Sequence, residues 1–315
     1  MKSILLFRLG GLGDLLVAFP SIYLLRKKLS PCSITLVCRE EYGAILKETG
    51  VVDNLISECD ANLAPLFAGS AHLDGELVRW LECFSLILGW VQKKSSLQIE
   101  KSFLFQNIMK CRFFVFDPTY PGQISKFFFD KTAEFLNRSE VLSFDECSIL
   151  PLSSEQKQDG LSLLENGDLR EGEKIVVVHP GSGSIEKCWP IHNFIKIIIQ
   201  MSQKGIRGVL VTGMAEERME NIIEEAQLPE GWTWLRNPPL LRLAGLLQSA
   251  DLYFGNDSGV THLAAACGTK VVALFRDDLV DKWKPYGRVS ALSGESISEI
   301  KFDTVWEAVT KALPS

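Results

Sequence analysis

The 315-residue chain lacks an excess of basic charge: 33 Lys and Arg stand against 39 Asp and Glu, a net charge of -6. A nucleic-acid binder carries a basic footprint, so no nucleic-acid partner is expected. It also lacks metal-ligand spacing. The 8 cysteines (32, 38, 59, 83, 111, 147, 188 and 267) contain no C-x-x-C pair, and the 4 histidines do not complete a ligand set. No zinc site is expected, and scattered cysteines in a chain with this large a core read as small buried apolar residues. Long apolar runs are missing too. The opening MKSILLF is interrupted by Arg8, too early for a secretory segment, and no stretch reaches membrane-span length. The chain therefore reads as cytosolic and reduced. Short-period repeats and low-complexity tracts are likewise lacking.

What is present is an alternation of β-rich apolar runs and helical patterns. Strands are expected at 3–7, 33–38, 113–116, 174–178, 209–212, 251–255 and 270–275. Helices are expected at 15–29, 42–49, 153–166, 194–203, 216–226, 242–249, 260–266 and 303–313. Apolar strands separated by helices imply parallel sheets covered on both faces. At roughly 150 residues per domain the length suits two domains. The pattern restarts after Leu150-Pro151, giving 1–150 and 151–315 with a cleft between them. Residues 52–130 are the least legible. Within 91–131, seven basic residues (Lys93, Lys94, Lys101, Lys110, Arg112, Lys126, Lys131) face three acids, a net +4. This is either a solvated face or one that meets an anionic acceptor or membrane surface.

Four constellations sit where strands turn into helices. In Arg8-Leu-Gly-Gly-Leu-Gly-Asp14, glycines allow close backbone approach to a ligand at a helix N-terminus. The third glycine of a dinucleotide fingerprint is missing after Gly11-x-Gly13, which disfavours a dehydrogenase. Asp14 is either a helix cap or a general base. The second, His179-Pro-Gly-Ser-Gly-Ser184 with Lys187-Cys-Trp-Pro190, falls short of a phosphate-binding NTPase loop. Glu186 stands for its second glycine and Cys188 for its hydroxyl. Ser182, Gly183, Ser184 and Lys187 still offer backbone donors, hydroxyls and a mobile cation for phosphate, or form a plain polar turn. The third is Gly255-Asn-Asp257-Ser258-Gly259-Val-Thr261-His262, in which Asp257, Ser258 and Gly259 form a second anion-accepting turn. The fourth, Thr212-Gly-Met-Ala-Glu216-Glu217, carries acids able to hold ribose hydroxyls or to serve as surface caps.

Taken in order, R-x-G-x-x-GD, HPG-x-G-S with K-x-WP, G-x-x-E and D-S-G-x-x-H-L-A-A-x-x-G resemble glycosyltransferase family 9, the ADP-heptose:lipopolysaccharide heptosyltransferases. The resemblance implies an α/β GT-B fold of two facing Rossmann-like domains, the first binding acceptor and the second the nucleotide sugar. It implies inverting, metal-independent transfer from an ADP-sugar to a lipopolysaccharide-core or similar glycan, with no cofactor, in the cytoplasm or at the inner face of its membrane. Asp14 then stands for the catalytic base and Lys187 for the phosphate-binding lysine. Gly13, Ser182, Gly183, Ser184, Asp257, Ser258, Gly259, Thr261 and His262 stand for donor-site positions, and Glu216, or Glu217, for the ribose-binding acid. One departure stands out: Arg276-Asp277-Asp278 follows VVALF where the family has glycine and threonine. The alternatives are a non-catalytic sugar-nucleotide-binding protein, which needs no Asp14, and a transferase using a different nucleotide sugar.

Overall fold

A computed structural model describes residues 2–91, 98–105, 108, 110–137, 142–164 and 174–313. The chain divides into two compact units, Met1–Ser148 and Ile149–Ser315.

In the first unit, β1 (Lys2–Phe7), β2 (Cys32–Cys38), β3 (Asn54–Ser57), β4 (Leu86–Val91) and β5 (Cys111–Val115) form a parallel sheet in the order β3-β2-β1-β4-β5. Central β1 is buried on both faces, as its unbroken ILLF run demands. Leu5 and Phe7 meet Leu77, Leu81 and Phe103 on one side. The helix Leu12–Leu29 starts one turn earlier than its apolar pattern suggests, because the glycine-rich turn is already helical from Leu12. Strands β3 and β4, and the helices Gly75–Glu82, Gln98–Phe105 and Ile124–Leu136, fill the region that the sequence left unread.

In the second unit, β6 (Ile175–His179), β7 (Arg207–Thr212), β8 (Trp232–Arg236), β9 (Leu252–Asn256), β10 (Val271–Arg276) and β11 (Val289–Gly294) form a parallel sheet ordered β11-β10-β9-β6-β7-β8. One face packs Val176, Val178, Phe254 and Leu274 against Trp189, Phe194 and Ile198. The closing helix of this unit is Phe302–Ala312. Its stripe Val305, Val309 and Ala312 is buried in this same core. The helix expected at 153–166 is α-helical only over Ser154–Leu161, and Asn166 lies outside the described residues.

All eight cysteines are free. Five are buried as expected, whereas Cys59 and Cys83 are exposed and Cys111 is half-buried. The first two sit in the turn after β3 and at the end of the helix Gly75–Glu82, outside either core.

Candidate active site

In the second unit, polar side chains gather at the carboxyl ends of β6, β7 and β9. Trp189, fully buried, fastens the loop after β6. Its indole N–H donates to the Ile300 carbonyl at 2.9 Å, and its ring stacks on Phe302. Its backbone N–H donates to Asn256 Oδ1 at 3.1 Å, while Asn256 Nδ2 donates to the Pro180 carbonyl at 2.7 Å. Thus the β9 end rivets both limbs of the 180–189 loop. Two residues before this anchor, Lys187 Nζ reaches Asp257 Oδ2 at 2.8 Å, with side-chain exposures of 35% and 7%. One of the three ammonium donors is engaged there, which leaves a partly exposed cation able to bond an anion as well.

The expected donor-site residues divide into two sets. Gly183 and Ser184 are exposed, and Lys187, Ser258 and Gly259 are partly so. Ser182 and Thr261 instead serve the scaffold. Ser182 Oγ donates to the Asp257 carbonyl at 2.6 Å. The Thr261 hydroxyl is completely buried, donating to the Asn256 carbonyl and paired with the Tyr253 hydroxyl at 3.0 Å. Ser258 is the N-cap of the helix Gly259–Ala266, accepting from the Thr261 N–H at 3.3 Å. His262 is buried in the first turn of that helix.

After β7, Glu216 is buried and Glu217 is exposed. Glu216 Oε2 accepts the Gly213 N–H at 2.8 Å. Its other oxygen crowds Gly181, where a Cβ would stand only 2.0 Å away. Glycine is therefore the residue this approach admits. Beside them, His179 Nδ1 lies 3.0 Å from the Val211 carbonyl and so carries the ring proton. Burial pulls the His179 pKa below its ordinary value, while the Glu216 charge opposes that pull. At the end of β10, Arg276 is forked onto Asp278 by two bonds of 2.9 Å.

In the first unit, Asp14 lies in the first turn of the helix Leu12–Leu29. Its Oδ2 accepts the Gly11 N–H at 2.8 Å and its Oδ1 meets Arg8 Nη2 at 3.2 Å. Gly10, at φ 114°, leaves the space that Oδ2 needs, since a Cβ there would lie 2.5 Å from it. Gly13 falls within the same helical turn. Glu58, unmarked in the sequence, accepts from the Gly10 N–H at 3.1 Å and from Arg39 Nε at 2.9 Å. Asn256 stands inside the third constellation, but nothing local shows that it fastens the 180–189 loop, and no motif announces Glu58 or the burial of Arg8.

Of the basic stretch, Lys93 and Lys94 lie outside the described residues. Lys126 pairs with Asp130, Lys131 pairs with Glu134 at 2.8 Å, and Lys110 donates to the Glu82 carbonyl at 2.6 Å. Lys101 and Arg112 are exposed. Arg112 and Lys131 line a pocket of about 420 Å³ with Phe113, Phe127 and Phe135. Among the described residues no group of three or more His, Cys, Asp or Glu could hold a metal ion, and no helix is long and apolar enough to cross a membrane.

Two parallel, Rossmann-like sheets, with polar and glycine-containing loops at their strand ends, are those of the GT-B class of fold. Solved structures share it. A glycosyl transferase family 9 protein of Veillonella parvula superposes with a TM-score of 0.78 at 18% identity, covering 99% of this chain and 97% of that one. The ADP-heptose lipopolysaccharide heptosyltransferase II of Escherichia coli gives 0.74 at 17% identity, with 99% and 98% covered. The family profile "Glycosyltransferase family 9 (heptosyltransferase)" matches residues 135–304, more than half of the chain, and the chain belongs to that family. Lipopolysaccharide heptosyltransferase 3 of Escherichia coli is 30% identical over 124 residues, 36% of this chain and 35% of that protein. The match thus spans about a third of that curated relative.

Proposed function

We propose that this chain is an inverting, metal-independent glycosyltransferase that moves a heptose or related sugar from an ADP-sugar to a lipopolysaccharide-core or similar glycan acceptor. The observation that carries the reading is the Lys187–Asp257 pair, held between the 182–184 turn and the helix start at Gly259. It sets a half-exposed ammonium beside backbone donors and the positive end of a helix, an arrangement suited to a diphosphate. Glu216 stands at the next strand end, where a carboxylate can accept from ribose hydroxyls.

In this reading Asp14 removes the proton from an acceptor hydroxyl as its oxygen attacks the anomeric carbon. The carbon–oxygen bond to the diphosphate breaks on the opposite face, so the configuration inverts and the nucleoside diphosphate leaves. Lys187 and the backbone N–H groups around 183–184 and 259 stabilise the charge that grows on the leaving group. These fixed cations and dipoles take the part a metal ion plays elsewhere, and transfer should continue in EDTA. The exposed Lys101 and Arg112 suit an anionic acceptor or the inner face of a membrane.

The test is a thermal-shift series with ADP-, GDP- and UDP-sugars, followed by ADP-release and product assays using ADP-heptose and a lipopolysaccharide core lacking its terminal heptose. Preferential stabilisation by the ADP-sugar and heptosylated product are expected. Binding without transfer would favour the non-catalytic reading. A second reading, transfer from another nucleotide sugar, is favoured by the Arg276–Asp278 fork at the end of β10. Preferential stabilisation by a GDP- or UDP-sugar would establish it.

A further inference from the structure

We propose that Arg8 is a positioning residue for Asp14, acting on transfer through that carboxylate alone. The assignment rests on Asp14 being the general base. Arg8 is 4% exposed, and burial pulls its pKa down to about 10 in spite of the opposing Asp14 charge. A guanidinium in such a place is costly to desolvate, so its donors must be met. Nη1 donates to the Trp90 carbonyl at 3.0 Å, which ties it to the end of β4. The ring of Phe128 lies 5.6 Å from the guanidinium carbon. The remaining bonds converge on one residue: Nε donates to the Asp14 carbonyl at 2.5 Å and Nη2 to Asp14 Oδ1 at 3.2 Å.

Asp14 is thereby gripped at main chain and side chain by one planar fork, while the Gly11 N–H holds its second oxygen at 2.8 Å. A helix cap needs none of this. Glu146 makes the equivalent bond to the Ser143 N–H at 2.7 Å, and Gln156 to the Ser153 N–H at 2.9 Å, both at exposed positions. A carboxylate that must aim a lone pair at a substrate hydroxyl does need its plane fixed, since free rotation about its own bonds spoils the line of proton transfer. The side chain keeps 30% exposure, so the clamped group still faces outward. Lysine keeps the charge, but its three donors radiate from one nitrogen and lack the rigid planar fork that meets carbonyl and carboxylate at fixed angles.

The experiment compares wild type, Arg8→Lys, Asp14→Asn and the double variant in steady-state transfer from ADP-heptose to the truncated core, with a melting curve for each. Arg8→Lys should lower kcat about 10–100-fold while KM for ADP-heptose stays within about twofold. The double variant should be no slower than Asp14→Asn, because Arg8 has nothing left to aim. Unchanged kcat in Arg8→Lys, or losses that multiply in the double variant, would overturn the assignment while leaving the Asp14 reading intact. Full transfer by Asp14→Asn, or no transfer by the wild type, would instead remove the functional reading and this one with it. Should Arg8→Lys fail to fold, Arg8→Met, which buries no charge, enters the same cycle with the same outcomes.

Discussion

At Lys187 a loop cation suited to phosphate is also tied to the scaffold through Asp257. Its partner Asp257 has 7% side-chain exposure, so Lys187→Ala strips the counter-charge from a nearly buried carboxylate. A charge-assisted hydrogen bond contributes about 1.5–3 kcal/mol, reduced here because the lysine is partly solvated. Lys187→Ala should therefore lower the melting temperature measurably as well as abolish ADP-sugar-dependent stabilisation. Loss of stability with ADP-sugar binding intact would make the lysine a scaffold element only. His179 supplies a pH-dependent term. Burial lowers its folded-state pKa below the ordinary 6.5, so the unfolded chain takes up the proton first as pH falls. Stability from this group is complete above that value and is lost progressively on acidification below it. Melting curves from pH 7.5 to 5 should show the decline, and His179→Gln should flatten it. An equally steep decline in the variant would assign the effect to other groups.

Among the elements, those read directly from the sequence are the ones with unbroken apolar runs, such as ILLF of β1 and VVV of β6. Edge strands β3, β8 and β11 are half-buried and mixed in character, and escaped notice for that reason; β4 is the exception, a buried apolar run, LILGWV, that lies in the unread region. The loops were legible because glycine, serine and acids follow apolar runs at fixed offsets. Their internal wiring was not, because it joins residues far apart in the chain, as Asn256 does with Pro180 and Arg8 with Trp90. Nor could sequence show that the Thr261 hydroxyl turns inward. The helix Gly75–Glu82 tests how far local rules reach into the unread region. Asp74 Oδ1 accepts the Glu76 and Leu77 N–H groups at 2.7 and 2.9 Å. Asp74→Ala should cost about 1 kcal/mol in urea unfolding without altering transfer. A change below ~0.3 kcal/mol would show that this cap is redundant with the packing of Leu77 and Leu81.

At the scale of the whole molecule, each of the two units has its own sheet and core, and the proposed reaction assigns the general base to the first and the nucleotide to the second. An ADP-sugar at about 100 times its Kd should add roughly 2.7 kcal/mol of stability. Hydrogen exchange should locate it as slowed amides at 182–188, 213–217 and 257–262; no protection there would move the nucleotide site elsewhere. The two units also share a construction. Each sets an acid against a glycine that has no room for a methyl group, Asp14 against Gly10 and Glu216 against Gly181. The consequence concerns how the protein tolerates change. In a library of random single substitutions selected for transfer, Gly10 and Gly181 should be as intolerant as any catalytic position, although neither contributes a side-chain atom to a substrate. A map of tolerated variation would then mark the walls of the site as sharply as its reactive groups, and the smallest residues would be the hardest to replace.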